Sequence, residues 1–410
     1  MSRATATASR GAQAERVAAG RDERWREAER VRAATAAVVA EHVAPQAAAL
    51  DRDGGFPDAQ LRALANAGLG GLLVPVEHGG AGASKLAYAM AVEEIAAACG
   101  ATSLVYMTQM HCAHPLLVAG SPAQRAALLP PLCRSERWGA LAVTEPGAGS
   151  DTALIATMAV RDGEHYVVDG AKTFITSGDR SHVTILFAVT GPGAGRHGVS
   201  AFALEGRPAG MSTGRVFGKL GMHGSSTAEL FFDDCRIPAA WRLGEEGAGY
   251  PLLLSAVGTS RLSAAAQGVG LGAGALAAAR AWATARGLLD RHRREHQHVQ
   301  AAFARLWTKL RAARTLLHDT ALRADLAAPG EDLSAAVAAA KAFCTDTGMR
   351  VASTAMELMG ADGDDPALHV ERYVRDAKVT QIYDGANEIQ LGIVARATAP
   401  LTPIDAAQVP

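Results

Sequence analysis

Apolar residues recur at helical spacing through residues 26–140, shift to short β-branched or aromatic runs, and return to helical spacing from residue 246. In the first stretch Val31, Val38, Val39 and Val43 predict a helix from Trp25 to Leu50. A Gly-Gly-Phe-Pro turn follows, and Leu61, Leu64 and Ala65 mark a short second helix. Two more apolar helices are predicted over 85–98 and 102–119, and Ser121-Pro122 has the N-cap-plus-proline order that opens another. Between 141 and 245, HYVVDG, KTFITS, HVTILFAVTG, GVSAFALEG and AELFFDDCRIP are bounded by Gly, Asp or Pro, which predicts strands in an antiparallel domain. Helical pattern over 251–286, 296–326, 331–359 and about 386–397 predicts an up-and-down bundle. The chain therefore reads as α+β in several parts: a loose polar extension at 1–25, a helical domain at 26–140, a β domain at 141–245, a helical bundle at 246–400 and a tail at 401–410.

Composition narrows the function without naming it. A chain of 410 residues buries enough surface to need neither disulfide nor metal. A formal net charge of −1 without long charge runs gives no basic face for nucleic acid. Cys99, Cys112, Cys133, Cys235 and Cys344 are scattered, with no Cys-x-x-Cys pair, and are expected as reduced thiols in a cytoplasmic protein. The N-terminus mixes Arg with Glu and Asp and has no apolar segment, so neither a secretory signal nor a membrane span is expected.

Two motif-like patterns are set aside. His292, Glu295 and His296 have the spacing of an inverted zinc motif, but no third ligand accompanies them and a charged helix start explains them; no metal site is expected. GVGLGAG (268–274) has dinucleotide-fingerprint glycines but sits inside a helical run with no strand before it, so close helix packing is the reading adopted. VTEPGAGSD (143–151) differs, because it lies where helix gives way to strand. Its Pro and small residues expose backbone N–H groups, and Thr144 and Ser150 add hydroxyls. Such a loop suits a polyanionic or ring-edge ligand, and a plain surface turn has the same composition.

VTEPGAGSD resembles the flavin-binding signature of the acyl-CoA dehydrogenase family. Further resemblances follow in family order: GLGGLLVPVEHGGAG (68–82) to its N-terminal loop, KTFITSG (172–178) to its Trp-Ile-Thr-Asn strand, and KLGMHGSSTAELFFDDCRIP (219–238) with LGEEGAGY (243–250) to the exit from its β domain. ERYVRDAKVTQIYDGANEIQ (371–390) resembles its C-terminal active-site segment, and the likeness spans roughly residues 30–398. The resemblance implies an N-terminal helical domain, a central antiparallel β domain and a C-terminal four-helix bundle. It also implies FAD, and α,β-dehydrogenation of an acyl thioester on CoA or on a carrier protein: a base takes the α proton and the β hydrogen leaves as hydride to flavin N5. Electrons would pass to an electron-transfer flavoprotein or similar acceptor, and the protein would be a homodimer or homotetramer.

Carried over position by position, the resemblance assigns flavin contacts to Thr144, Gly149, Ser150 and Thr176, with Phe174 where the family has Trp. Ser150 would also touch the pantetheine arm. The family's base is Glu in Ile-Tyr-Glu-Gly; this chain reads Ile382-Tyr383-Asp384-Gly385. The other position at which relatives carry a base is Ser260 here, so Asp384 is the one carboxylate at either place. Gly385 and Arg261 would lie beside the thioester, and Tyr106, Met107, Met110 and His111, with Leu254 and Val257, would line the acyl end. Arg286, Gln297, Glu357, Gly360 and Ala361 occupy the positions that reach the FAD of a neighbouring subunit. The Phe and Gly after Arg286 are replaced, and Glu357 and Asp362 add charge that should repel a pyrophosphate. A flavin monooxygenase or oxidase on the same fold, and a weakly active or non-catalytic homologue, are the competing readings.

Overall fold

The structure, a computed structural model, describes residues 3–399 other than 291, 293 and 329, with side chains from residue 20 onward. The tail expected at 401–410 lies outside the described residues. The N-terminal part is helical throughout: α1 (Arg3–Val38), α2 (Ala47–Asp53), α3 (Asp58–Asn66), α4 (Lys85–Ala98), α5 (Gly100–Ala119) and α6 (Pro122–Cys133). Two expectations need correction. The segment read as a loose extension is already helix from Arg3, in keeping with its alanine content. The helix expected to reach Leu50 is broken after Val38 by a π turn over Val39–Val43 and a 3₁₀ turn over Ala44–Gln46. Pro45 has no N–H to continue the ladder there. The Ser121 start is as expected: Ser121 Oγ accepts from Gln124 N at 3.2 Å, and Gln124 Oε1 accepts from Ser121 N at 2.8 Å, a reciprocal cap.

The middle part is one sheet of eight strands: β1 (Gly139–Ala142), β2 (Met158–Asp162), β3 (His165–Thr176), β4 (Val183–Val189), β5 (Val199–Glu205), β6 (Met211–Val216), β7 (Thr227–Pro238) and β8 (Arg242–Leu243). Their order is β6-β7-β3-β2-β4-β5-β8, with β1 beside β4. Pairing is antiparallel except that β1 and one residue of β2 run parallel to β4. HYVVDG and KTFITS, two runs in the sequence, are the single strand β3, which bulges between Val168 and Gly170 and again between Lys172 and Ile175. The second bulge turns Phe174 to φ 56°.

The C-terminal part comprises α7 (Gly249–Ala285), α8 (Gln297–Leu326), α9 (Ser334–Met359), α10 (Val370–Thr380) and α11 (Asn387–Thr398). Helix α7 is the spine of the molecule, and GVGLGAG is where it touches its neighbours by backbone. A Cβ on Gly268 would lie 2.9 Å from Thr345 Cα of α9, and one on Gly348 of α9 would lie 2.1 Å from Gly268 O. On the other side, a Cβ on Gly270 or Gly274 would lie 2.4 Å from Glu93 O or 2.3 Å from Ala97 O of α4. Close packing is thus what these glycines do. By length and composition α7 could cross a bilayer, but 83 % of its most apolar window is buried inside the fold. All five cysteines are free and buried.

The seam predicts a large effect from a small change. Gly348→Ala places a methyl against a backbone oxygen that cannot rotate away, so it should cost on the order of 2–3 kcal/mol in thermal or denaturant unfolding. Gly258→Ala, on the same α7 but with nothing within 4 Å of the added Cβ, should be neutral or mildly stabilising. Equal melting temperatures for the two variants would refute backbone contact at the seam.

Candidate active site

The segment joining α10 to α11 is a strained turn, with Asp384 at φ 54° and Gly385 at φ 88°. Positive φ is uncommon outside glycine, with Asp among the better-tolerated residues. The turn is held from beneath by Lys341 of α9, whose side chain is fully buried. Lys341 Nζ donates to Gly385 O at 2.9 Å and to Asn387 Oδ1 at 2.8 Å, and Gln390 Nε2 donates to the same Gly385 O at 3.0 Å. Asn387 Nδ2 in turn reaches Asp346 Oδ1 at 2.7 Å and Thr345 Oγ1 at 2.9 Å, both on α9. Burial pushes the Lys341 ammonium down to about 8, with Asp384 and Asp346 acting in the other direction.

Above this platform, Asp384 Oδ2 is buried without a hydrogen-bond partner, and so is Arg261 Nε on α7. A Cβ on Gly385 would come within 3.8 Å of Arg261 Nε, so the two lie side by side. Burial lowers the Arg261 guanidinium, and the Asp384 charge opposes that. The Asp384 charge also acts on His111 of α5 and Tyr88 of α4. Burial draws His111 below its usual range and raises the Tyr88 phenol, leaving both neutral. His111 Nε2 and Ser263 Oγ are 3.2 Å apart, Ser263 Oγ donates to Ser260 O at 2.8 Å, and Ser260 Oγ donates to Val257 O at 3.0 Å. Tyr88 Oη is buried without a partner in hydrogen-bond geometry, and the Ser263 hydroxyl is close enough to act on it.

Asp384, Gly385, Arg261 and His111 are thus brought together. Tyr106 and Met107 stand further back. Tyr106 is fully buried, donates its hydroxyl to Leu69 O at 2.6 Å and stacks on Tyr88 with ring centroids 6.0 Å apart, while Met107 is core. Leu254 is 51 % exposed and closes no wall. The sequence reading missed Tyr88, Ser263 and Lys341. Lys341 had a signal, a lone cation in an alanine-rich run.

A second group forms where β1 leads into the sheet. Lys172 of β3 is fully buried; its Nζ donates to Val143 O at 3.0 Å and Glu145 Oε1 at 2.6 Å. The Glu145 carboxylate also accepts from Ala156 N at 2.7 Å and Thr157 N at 3.0 Å. Burial pushes the Lys172 ammonium down to about 8 against the pull of Glu145. Burial alone would raise the Glu145 carboxyl, but Lys172 and the two amides hold it below the usual carboxylate range. This anchored pair fixes the 143–151 loop, whose Gly147 and Gly149 face open space: an added Cβ there meets nothing within 4 Å. Thr144 O accepts from Thr173 N at 2.9 Å, and Gly149 and Ser150 are exposed. Beside the loop, Phe174 is 62 % exposed and stacks on Phe217 with centroids 4.7 Å apart. Thr176 pairs with Thr227, and next to it the hydroxyls of Ser177, Ser225 and Ser226 are buried without partners. The loop before β7 bridges the two groups, because Met222 N donates to Asp376 Oδ1 of α10 at 2.5 Å.

Arg286, Gln297, Glu357, Gly360 and Ala361 form a third group at the far end of the bundle. Arg286 is 25 residues beyond Arg261 along α7, roughly 37 Å at helical rise. Its Nη2 lies 2.5 Å from Asp362 Oδ2, which also accepts from Trp282 Nε1 at 2.7 Å. The Asp362 charge that the sequence suggested would repel an anion is therefore spent on Arg286. Gln297, Glu357, Gly360 and Ala361 are exposed.

Comparison with known proteins covers all three parts of the chain. Profiles of the acyl-CoA dehydrogenase N-terminal, middle and C-terminal domains match residues 26–136, 140–235 and 247–399. A probable acyl-CoA dehydrogenase of Mycobacterium bovis is 36 % identical over 371 residues, covering 90 % of this chain and 95 % of its own. A short-chain-specific acyl-CoA dehydrogenase of Clostridium acetobutylicum is 34 % identical, covering 90 % and 97 %. Among solved structures, butyryl-CoA dehydrogenase from Megasphaera elsdenii superposes with a TM-score of 0.84 at 30 % identity, covering 91 % of this chain and 98 % of that one.

Proposed function

This chain belongs to the acyl-CoA dehydrogenase family, oxidoreductases acting on CH–CH groups, and we propose that within it Asp384 is the base that takes the α proton of a bound acyl-CoA. The observation that carries this reading is the Asp384 carboxylate, with Oδ2 buried and free of any hydrogen-bond partner. A lone pair committed to no donor is available to a proton. Among the described residues no acceptor is found for the backbone N–H of Asp384 or Gly385, so both can point at the thioester carbonyl and stabilise charge that develops there as the α proton leaves. Lys341 and Gln390 keep the turn from relaxing, which fixes the carboxylate relative to the substrate.

The second group fits FAD. The open edge at Gly147 and Gly149, the aromatic face of Phe174 and the unpartnered Ser177, Ser225 and Ser226 hydroxyls give an uncommitted cradle for a polar ring edge. Thr144, Gly149, Ser150, Phe174 and Thr176 would hold it. FAD, when bound, supplies the acceptor for the β hydride. Arg286 and the 360–362 turn would touch the FAD of another copy of the chain, as the family resemblance implies. An electron-transfer flavoprotein is the proposed oxidant of the reduced protein. The test is anaerobic addition of acyl-CoA thioesters to the purified yellow protein. Loss of the oxidised flavin absorbance with formation of the 2-enoyl product is expected; no bleaching across straight, branched, cyclic and hydroxylated thioesters would sink the reading.

A further inference from the structure

Beside Asp384 lie polar groups that the proposed reaction does not use. Tyr88 Oη is completely buried and has no partner, although a buried hydroxyl left unpaired is costly and ordinarily finds one. It sits with His111 and Ser263, whose ring nitrogen and hydroxyl are 3.2 Å apart, in the charge field of Asp384. Three helices deliver these groups to one place: α4 brings Tyr88, α5 brings His111 and α7 brings Ser263. A pocket meant for a plain alkyl chain would be lined there by aliphatic side chains.

We propose that the acyl end of this site is built for a short acyl chain carrying an uncharged hydroxyl group, which pairs with Tyr88, with Ser263 and His111 completing the polar wall. This rests on the acyl-CoA dehydrogenase reading above and names its substrate class. The charges present select among polar groups. Of the nearby cations, Arg261 lies beside Gly385, and Lys341 is turned to Gly385 O and Asn387. A substrate carboxylate would meet the like charge of Asp384. Tyr88 and His111 are kept neutral by burial, so they offer hydrogen bonds rather than charge. A hydroxyl both donates and accepts, matches either partner, and removes the unpaired Tyr88 Oη.

Binding can be separated from turnover. On FAD-loaded Asp384→Asn protein, which should bind but not react, calorimetry would compare γ-hydroxybutyryl-CoA with its isostere pentanoyl-CoA, δ-hydroxypentanoyl-CoA with hexanoyl-CoA, and each with succinyl-CoA. At least one hydroxyacyl thioester is expected to bind about tenfold or more tighter than its alkyl isostere. Tyr88→Phe should shrink that ratio to about threefold or less, and should not lower the melting temperature of the ligand-free protein, because it deletes an unpaired hydroxyl. His111→Leu, an independent variant, should shrink it as well. Equal or tighter binding of both alkyl isosteres, tighter binding of succinyl-CoA, or loss of affinity for alkyl and hydroxyacyl thioesters alike in Tyr88→Phe would overturn the proposal. Bleaching of the wild-type protein by any thioester reads the reaction itself, so failure of the pocket assignment and failure of the dehydrogenase reading are distinct results.

Discussion

Asp384→Asn should lower kcat by about three orders of magnitude, within the range general-base removal produces, while leaving flavin content and thioester affinity nearly unchanged. The reasoning is geometric. The Asn side chain is the same size, adopts positive φ as readily as Asp, and keeps the turn on its Lys341 and Gln390 hydrogen bonds, which go to Gly385 O and not to the side chain. What is lost is the lone pair that Oδ2 holds free of partners. Single-turnover flavin reduction measures this without interference from reoxidation. Asp384→Glu should keep at least tenfold more activity than Asp384→Asn, because it retains a carboxylate in an altered position. Reduction by Asp384→Asn within about threefold of wild type would remove Asp384 from the chemistry.

Lys172→Met is expected to be the most damaging change outside the substrate pocket. It leaves Glu145 buried beside two amides with its cation gone. Breaking a buried pair by removing one partner costs about 3–5 kcal/mol, more than the pair's net contribution. The same lysine also donates to Val143 O, so the 143–151 loop loses its anchor and the purified protein should carry substoichiometric flavin. Thermal unfolding and the flavin-to-protein absorbance ratio check both effects. Lys172→Met combined with Glu145→Leu should recover part of the stability but little of the flavin, because Ala156 N and Thr157 N then lack their acceptor. A single variant that melts like wild type and retains full flavin would show that the ion pair does not organise the loop.

The order helix, sheet, helix was readable because its signals are local. The capping box at Ser121 and Gln124, the β-branched and aromatic runs of β4 and β5, and the apolar pattern of α7 need no distant partner. Strands β1, β2, β6 and β8 were not, since segments such as GALA and MSTGRV carry little β-branched character and exist because β4, β3, β7 and β5 pair with them. Helix α10 was likewise hidden in a segment valued for its motif. Within the site, Asp384, Gly385 and Arg261 came from the family resemblance. Tyr88 could not be found that way or from periodicity, since in sequence it is one more large residue in an apolar helix. Its meaning lies in an oxygen that three-dimensional packing leaves without a partner. Lys341 and Lys172 share that character: each is a lone charge in an apolar run, paired with residues 44 and 27 positions away.

The backbone contacts along α7 also bear on how the acyl specificity of this enzyme can be changed. Tyr88, Ser263 and Lys341 ride on α4, α7 and α9, and glycines at 268, 270, 274 and 348 leave those helices no slack to slide. New substrates therefore have to be accommodated by exchanging side chains at positions such as 88, 111 and 263 and not by widening the gap between helices. A selection for altered acyl preference should collect its mutations there and leave the glycines untouched.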